Sequence, residues 1–126
     1  MLSRFLIILF FIHVSASQAG EVYSKNWYMV GESAIAINTN TLESELERFL
    51  ETQPKGLLLP LNEYTFQYAL INESKLEIHG ICLDIPERHN LKEGFLMVAD
   101  GGNCFFSIEF NIDTKRFSNL HINGIA

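Results

Sequence analysis

From Cys104 the chain alternates between apolar and polar positions. Cys104, Phe106, Ile108, Phe110 and Ile112 share one parity, and Ser107, Glu109 and Asn111 fill the other. Successive side chains of a strand point to opposite faces, so this spacing predicts a strand over 104–112 with one buried and one wetted face. Phe105 falls on the wetted parity beside Ser107, which predicts an exposed aromatic ring. Two further strands are predicted around it, over 95–99 and 116–123. Asp100, Gly101, Gly102 and Asn103 would join the first pair as a hairpin turn, and Asp113-Thr114-Lys115 the second.

The period changes over 41–52, where Leu42, Leu46, Phe49 and Leu50 recur at helical spacing. Glu43, Glu45, Glu47, Arg48 and Glu51 take the remaining faces, as on a solvated helix. Asn40 and Glu43 have the spacing of a capping box, and Pro54 and Gly56 stop the helix.

The other segments are shorter or ambiguous. Trp27-Tyr28-Met29-Val30 and 33–37 read as weak strands, or as one strand broken at Gly31. Leu57-Leu58-Leu59 is an apolar run ended by Pro60. Over 64–71, Tyr64, Phe66, Tyr68 and Leu70 alternate as in a strand, while Leu61, Tyr64, Tyr68 and Ile71 approach helical spacing. Aromatic and β-branched content favours the strand. A turn at 72–74 leads into a strand over 75–85, whose bulky positions shift parity after Gly80. A glycine at such a shift predicts a bulge or bend.

These elements predict an α+β fold: one amphipathic helix packed on a curved antiparallel sheet of about five to six strands. Their order resembles cystatin-like and nuclear-transport-factor-like folds. This is a likeness of architecture without a family motif, and it implies nothing about function.

The N-terminus changes the setting. Arg4 precedes an apolar run from Phe5 to Ile12, and Ser17-Gln18-Ala19 offers small residues for cleavage after Ala19, with Ala16 as the second choice. The run is short of the about 20 apolar residues that span a bilayer, so 1–19 reads as a signal peptide and 20–126 as one exported, periplasmic or secreted domain without a stable membrane anchor. Cleavage would remove Arg4 and leave 8 basic against 15 acidic residues, a net charge of −7. Such a surface repels nucleic acid and anionic lipid and favours a basic protein partner.

Cys82 and Cys104 are the two cysteines, and in an exported chain they predict one disulfide. The closed loop of about 21 residues makes that link worth roughly 3 kcal/mol. Their spacing is neither that of a thioredoxin motif nor that of a zinc knuckle.

No catalytic motif stands out. His79, His89 and His121 lack helical metal-site spacing, though a meeting across the sheet with Glu77 or Asp84 would alter that; no metal or cofactor is expected. The glycines at 101 and 102 are not a nucleotide loop, and no serine lies in a nucleophile elbow. The leading expectation is a non-catalytic binding protein, of the inhibitor or immunity type. It would present Asp100, Gly101, Gly102 and Asn103 to another protein. The alternative is a ligand-binding or enzymatic domain with a pocket between helix and sheet, lined by Trp27, Tyr64 and Tyr68 with His79 or His121 at its base.

Overall fold

A computed structural model describes residues 26–33, 35–84 and 90–124. The signal peptide predicted over 1–19, His89 and the proposed strand end at Ile85 lie outside the described residues. Among the described residues five strands form one sheet in the order β1-β2-β3-β4-β5. They are β1 (Trp27–Met29), β2 (Tyr64–Asn72), β3 (Lys75–Cys82), β4 (Phe105–Asn111) and β5 (Arg116–Ile122). The one α-helix among the described residues, α1 (Thr39–Leu50), packs across one face. This is the α+β arrangement that the alternating and helical periods predict.

The sheet is mixed rather than wholly antiparallel. β1 pairs with β2 in parallel, with Trp27 opposite Phe66 and Met29 opposite Tyr68. The reason is the connection: α1 lies between these strands in the chain and returns it to the end of the sheet from which β1 started, so β2 runs the same way. The remaining strands are joined in succession and pair antiparallel.

The helix begins earlier than its apolar stripe suggests. Asn38, in extended conformation, is the N-cap, and its side chain accepts a hydrogen bond from the Thr41 amide at 3.1 Å. Asn40 therefore lies inside the first turn and makes no capping box with Glu43. Leu42 and Leu46 point into the sheet, with Leu46 wholly buried. They meet Phe66, Ile78, Phe106 and Ile108, whose strand alternation places them on the same face. Trp27 stacks on Phe66 with ring centroids 4.4 Å apart, and Tyr64 meets Phe106 edge-on at 5.0 Å.

Gly80 is not a bulge. β3 keeps continuous register through it, with Phe66 on one side and Phe106 on the other. A Cβ there would stand 2.1 Å from Cε1 of Phe106, so the position is glycine because the Phe106 ring occupies the side-chain space. The real irregularities lie elsewhere, at Leu70/Asn72 and at Ser107/Glu109. Asn119 sits opposite the second with φ of 55°.

The parity shift after Gly80 has a different cause: the second face of the sheet is also covered at one end. Ile81 and Phe105, register partners on that face, are both buried. Phe105 is thus not exposed, contrary to its polar neighbours' suggestion. The 95–99 segment is not a strand either. Residues 90–99 form an irregular flap held by side-chain amides. Wholly buried Gln67 donates to the carbonyls of Leu91 (3.0 Å) and Gly94 (2.8 Å) and accepts from the Leu96 amide (2.9 Å). Phe95 stacks on the His79 ring at 4.0 Å. Since Gln67 and Asn123 hold this backbone, it needs no strand partner.

The Asp113-Thr114-Lys115 connection is a tight hairpin. The Asn111 side chain accepts from the amides of Asp113 and Thr114, both at 2.9 Å, and Lys115 takes a φ of 59°.

Candidate functional site

Cys82 and Cys104 are joined, with Cα atoms 4.8 Å apart. The link ties the end of β3 to the turn that precedes β4. Asp100, Gly101, Gly102 and Asn103 do not connect two strands of a hairpin, because the residues before them belong to the flap. They lead into a single 3₁₀ turn over Gly102–Cys104. Gly101 and Gly102 adopt φ of 108° and 58°, which glycine tolerates without a Cβ penalty. A Cβ on Gly101 would also lie 2.5 Å from the Phe105 ring.

This turn is exposed at Asp100 and Gly101 yet fastened from several directions. The Gly102 amide donates to the Gly124 carbonyl at 2.9 Å. The Asn123 side chain donates to the carbonyls of Val98 (2.6 Å) and Asp100 (3.2 Å). The Tyr64 hydroxyl donates to the Asn103 carbonyl at 2.5 Å and accepts from the Leu59 amide at 3.0 Å. One buried phenol therefore joins the turn to the Leu57-Leu58-Leu59 run. Burial pushes the Tyr64 phenol above its ordinary value, the Leu59 amide opposes this, and nearby Glu63 adds to the rise. The Gly102 and Cys104 amides are both spent internally, the second on the Gly101 carbonyl at 3.2 Å. The turn is thus an ordered tip, with its carboxylate outward.

The helix–sheet interface, where the alternative reading places a pocket, is occupied by side chains. Leu46, Tyr64, Phe66 and Ile78 are at most 1% exposed. Trp27, Tyr64 and Tyr68 belong to this core. Among the described residues no buried side-chain polar atom lacks a hydrogen-bond partner.

The histidines stand on the opposite face. His79 and His121 both flank Ser107 across the sheet and line a small cleft of about 240 Å³ beside the flap. The His79 ring bonds Glu77 through Nε2 at 2.5 Å. Among the described residues Ser107 makes no hydrogen bond to either ring, and no group of three His, Cys, Asp or Glu side chains could hold a metal ion. Asp84 is exposed at the end of β3, apart from this cleft. Further along the same face, Asn119 donates to Glu109 at 3.0 Å and Lys75 approaches it at 3.2 Å. These contacts, Asn119's first, hold the Glu109 carboxyl below the usual range.

A second surface escaped sequence reasoning. An open groove of about 750 Å³ runs between α1 and the strap over 53–62. Its wall carries Glu43, Glu47 and Glu51, and Leu50, Leu57, Leu58 and Leu59 supply apolar surface. The i, i+4, i+8 spacing of the three glutamates was visible in the sequence, but the strap that faces them was not.

Among the described residues no helix is long and apolar enough to cross a membrane. No family model, curated protein or solved structure matches this chain.

Proposed function

We infer that this chain is a small exported, non-catalytic binding protein that engages another protein, as an inhibitor or immunity-type protein does. The observation that carries this reading is the Asp100–Asn103 tip. It is exposed at Asp100 and Gly101, yet it is anchored by the Cys82–Cys104 link, by Tyr64 and by Asn123 and Gly124 just beyond β5. A loop ordered before contact loses little further conformational entropy on binding, which is how preformed recognition loops gain affinity. The acidic surface supports a basic partner, whose encounter it would accelerate. The disulfide fits an oxidising compartment, periplasmic or extracellular, and the leader-like N-terminus points the same way.

The test is capture from an envelope or secreted-protein extract with the oxidised protein, read by mass spectrometry. One stoichiometric basic protein should be retained by the wild type and lost from Asp100→Arg, in which the exposed carboxylate becomes a cation. No partner retained by the wild type would sink the binding reading. A partner retained equally by Asp100→Arg would remove the tip from the contact.

A further inference from the structure

We propose that the groove between α1 and the strap is the docking site for a basic, apolar-faced segment of a protein partner. This rests on the binding-protein reading and assigns that function a second surface in addition to the Asp100–Asn103 tip.

Two features converge in the groove. The first is charge. Glu43, Glu47 and Glu51 stand in one row along α1 and its C-cap. A helix rises about 1.5 Å per residue, so the row extends roughly 12 Å, the length of two helical turns of a partner. Glu47 and Glu51 are exposed and form no ion pair with any described residue. Glu43 accepts a hydrogen bond from Trp27 Nε1 at 2.8 Å, which fixes its carboxylate in place. Against these three carboxylates Lys55 is the one cation that lines the groove among the described residues.

The second feature is apolar surface. Leu50 from the helix and Leu57, Leu58 and Leu59 from the strap are only half-buried. Four leucines left partly wet beside a row of carboxylates make an apolar centre with an acidic rim, the layout of a protein-recognition patch. The strap is not loose. Its Leu59 amide is held by the buried Tyr64 hydroxyl, and the Glu63 amide donates to the Pro60 carbonyl at 2.9 Å. The occupant that satisfies both features carries lysine or arginine on one side and large aliphatic side chains on the other. A purely basic chain would leave the leucines wet, and a purely apolar one would leave the carboxylates unmatched.

The test uses an amphipathic helical peptide of leucine and lysine as probe, with the intact oxidised protein. Amide chemical shifts locate the contact. Trp27, the only tryptophan, reports through its bond to the groove wall. Saturable shifts should centre on Leu50 and Leu57–Leu59. Glu47→Gln/Glu51→Gln should weaken the probe by about tenfold, since each exposed ion pair contributes modestly. Replacing the probe's leucines by serine should weaken it as well, and a leucine–glutamate peptide should not bind. Probe shifts that map to the Asp100–Asn103 tip, or an affinity indifferent to Glu47→Gln/Glu51→Gln, would overturn the assignment. So would a dimer of this chain formed through the groove.

The two readings fail separately. Partner capture that persists undiminished in Glu47→Gln/Glu51→Gln overturns the groove while leaving a binding protein. No capture by the wild type overturns the binding-protein reading itself.

Discussion

Tyr64→Phe is the most informative perturbation of this fold, because it removes one oxygen and leaves the ring. The ring packs against Phe66 and Phe106 in the core and needs no hydroxyl to do so. The oxygen alone joins the Asn103 carbonyl of the tip to the Leu59 amide of the strap. A hydrogen bond contributes about 1 kcal/mol net, and a buried group stripped of its partner costs about 1–3 kcal/mol. Asn103 and Leu59 are half-buried, so water recovers part of that cost, and the expected loss is about 2 kcal/mol. For a domain of this size that lowers the melting temperature by roughly 8–12 °C. Urea unfolding followed by circular dichroism, with the disulfide intact in both proteins, measures it. Amide exchange at Leu59 and Gly102 should quicken more than exchange in the centre of β3. The pH dependence carries a second signature. Because the folded phenol titrates above its ordinary value of about 10.0, its contribution to stability is complete below about pH 10 and disappears as pH rises through the folded value. Tyr64→Phe should therefore flatten the alkaline limb of the stability profile. Tyr68, also raised by burial, contributes to the same limb. A loss below about 0.5 kcal/mol, with unchanged exchange at Leu59, would refute the bridging role.

Three further substitutions probe the other joints. Cys104→Ser should leave a folded protein that is less stable by about 3 kcal/mol, matching wild type under reducing conditions; an unchanged oxidised melting temperature would remove the disulfide from the account. Gly80→Ala should cost about 1–3 kcal/mol although alanine is otherwise the better strand residue, because its Cβ meets the Phe106 ring, and Gly80→Ala/Phe106→Leu should recover part of that loss in the same urea assay. Gln67→Leu takes one side chain from three backbone groups of the flap, so stability should fall by about 2–3 kcal/mol and the Leu96 amide should exchange faster; protection unchanged at Leu96 would count against the flap's dependence on Gln67.

The sequence by itself determined the elements whose pattern is local. Alternation specifies β4, with Phe106, Ile108 and Phe110 inward, because a strand has a period of two whatever surrounds it. The leucines at 42 and 46 likewise specify the buried stripe of α1, and Cys82 and Cys104, as the two cysteines of the chain, have one pairing open to them, which the structure shows. The ambiguous 64–71 run resolved as the strand its aromatic content favours.

Tertiary structure decided everything that depends on what arrives from elsewhere in the chain. Periodicity names a face but not its cover, so the burial of Phe105 and Ile81 on the second face of the sheet is not announced by the alternation. Gly80 reads as a bulge until the ring of Phe106, 26 positions later, is seen in its side-chain space. The parallel pairing of β1 follows from the path of the helix over the sheet, and the N-cap fell to Asn38 because that residue leaves the helical path while Asn40 does not. The candidate surfaces divide in the same way. Asp100–Asn103 is legible as a turn from its glycines, but its rigidity comes from Tyr64, Asn123 and Cys82, which are distant in sequence. The glutamate row is legible as a helix face, but it becomes one wall of a groove only when the strap is folded back beside it. Short-range pattern is written into neighbouring residues by backbone geometry, whereas a cover, a clash or a groove exists only once the chain has closed on itself.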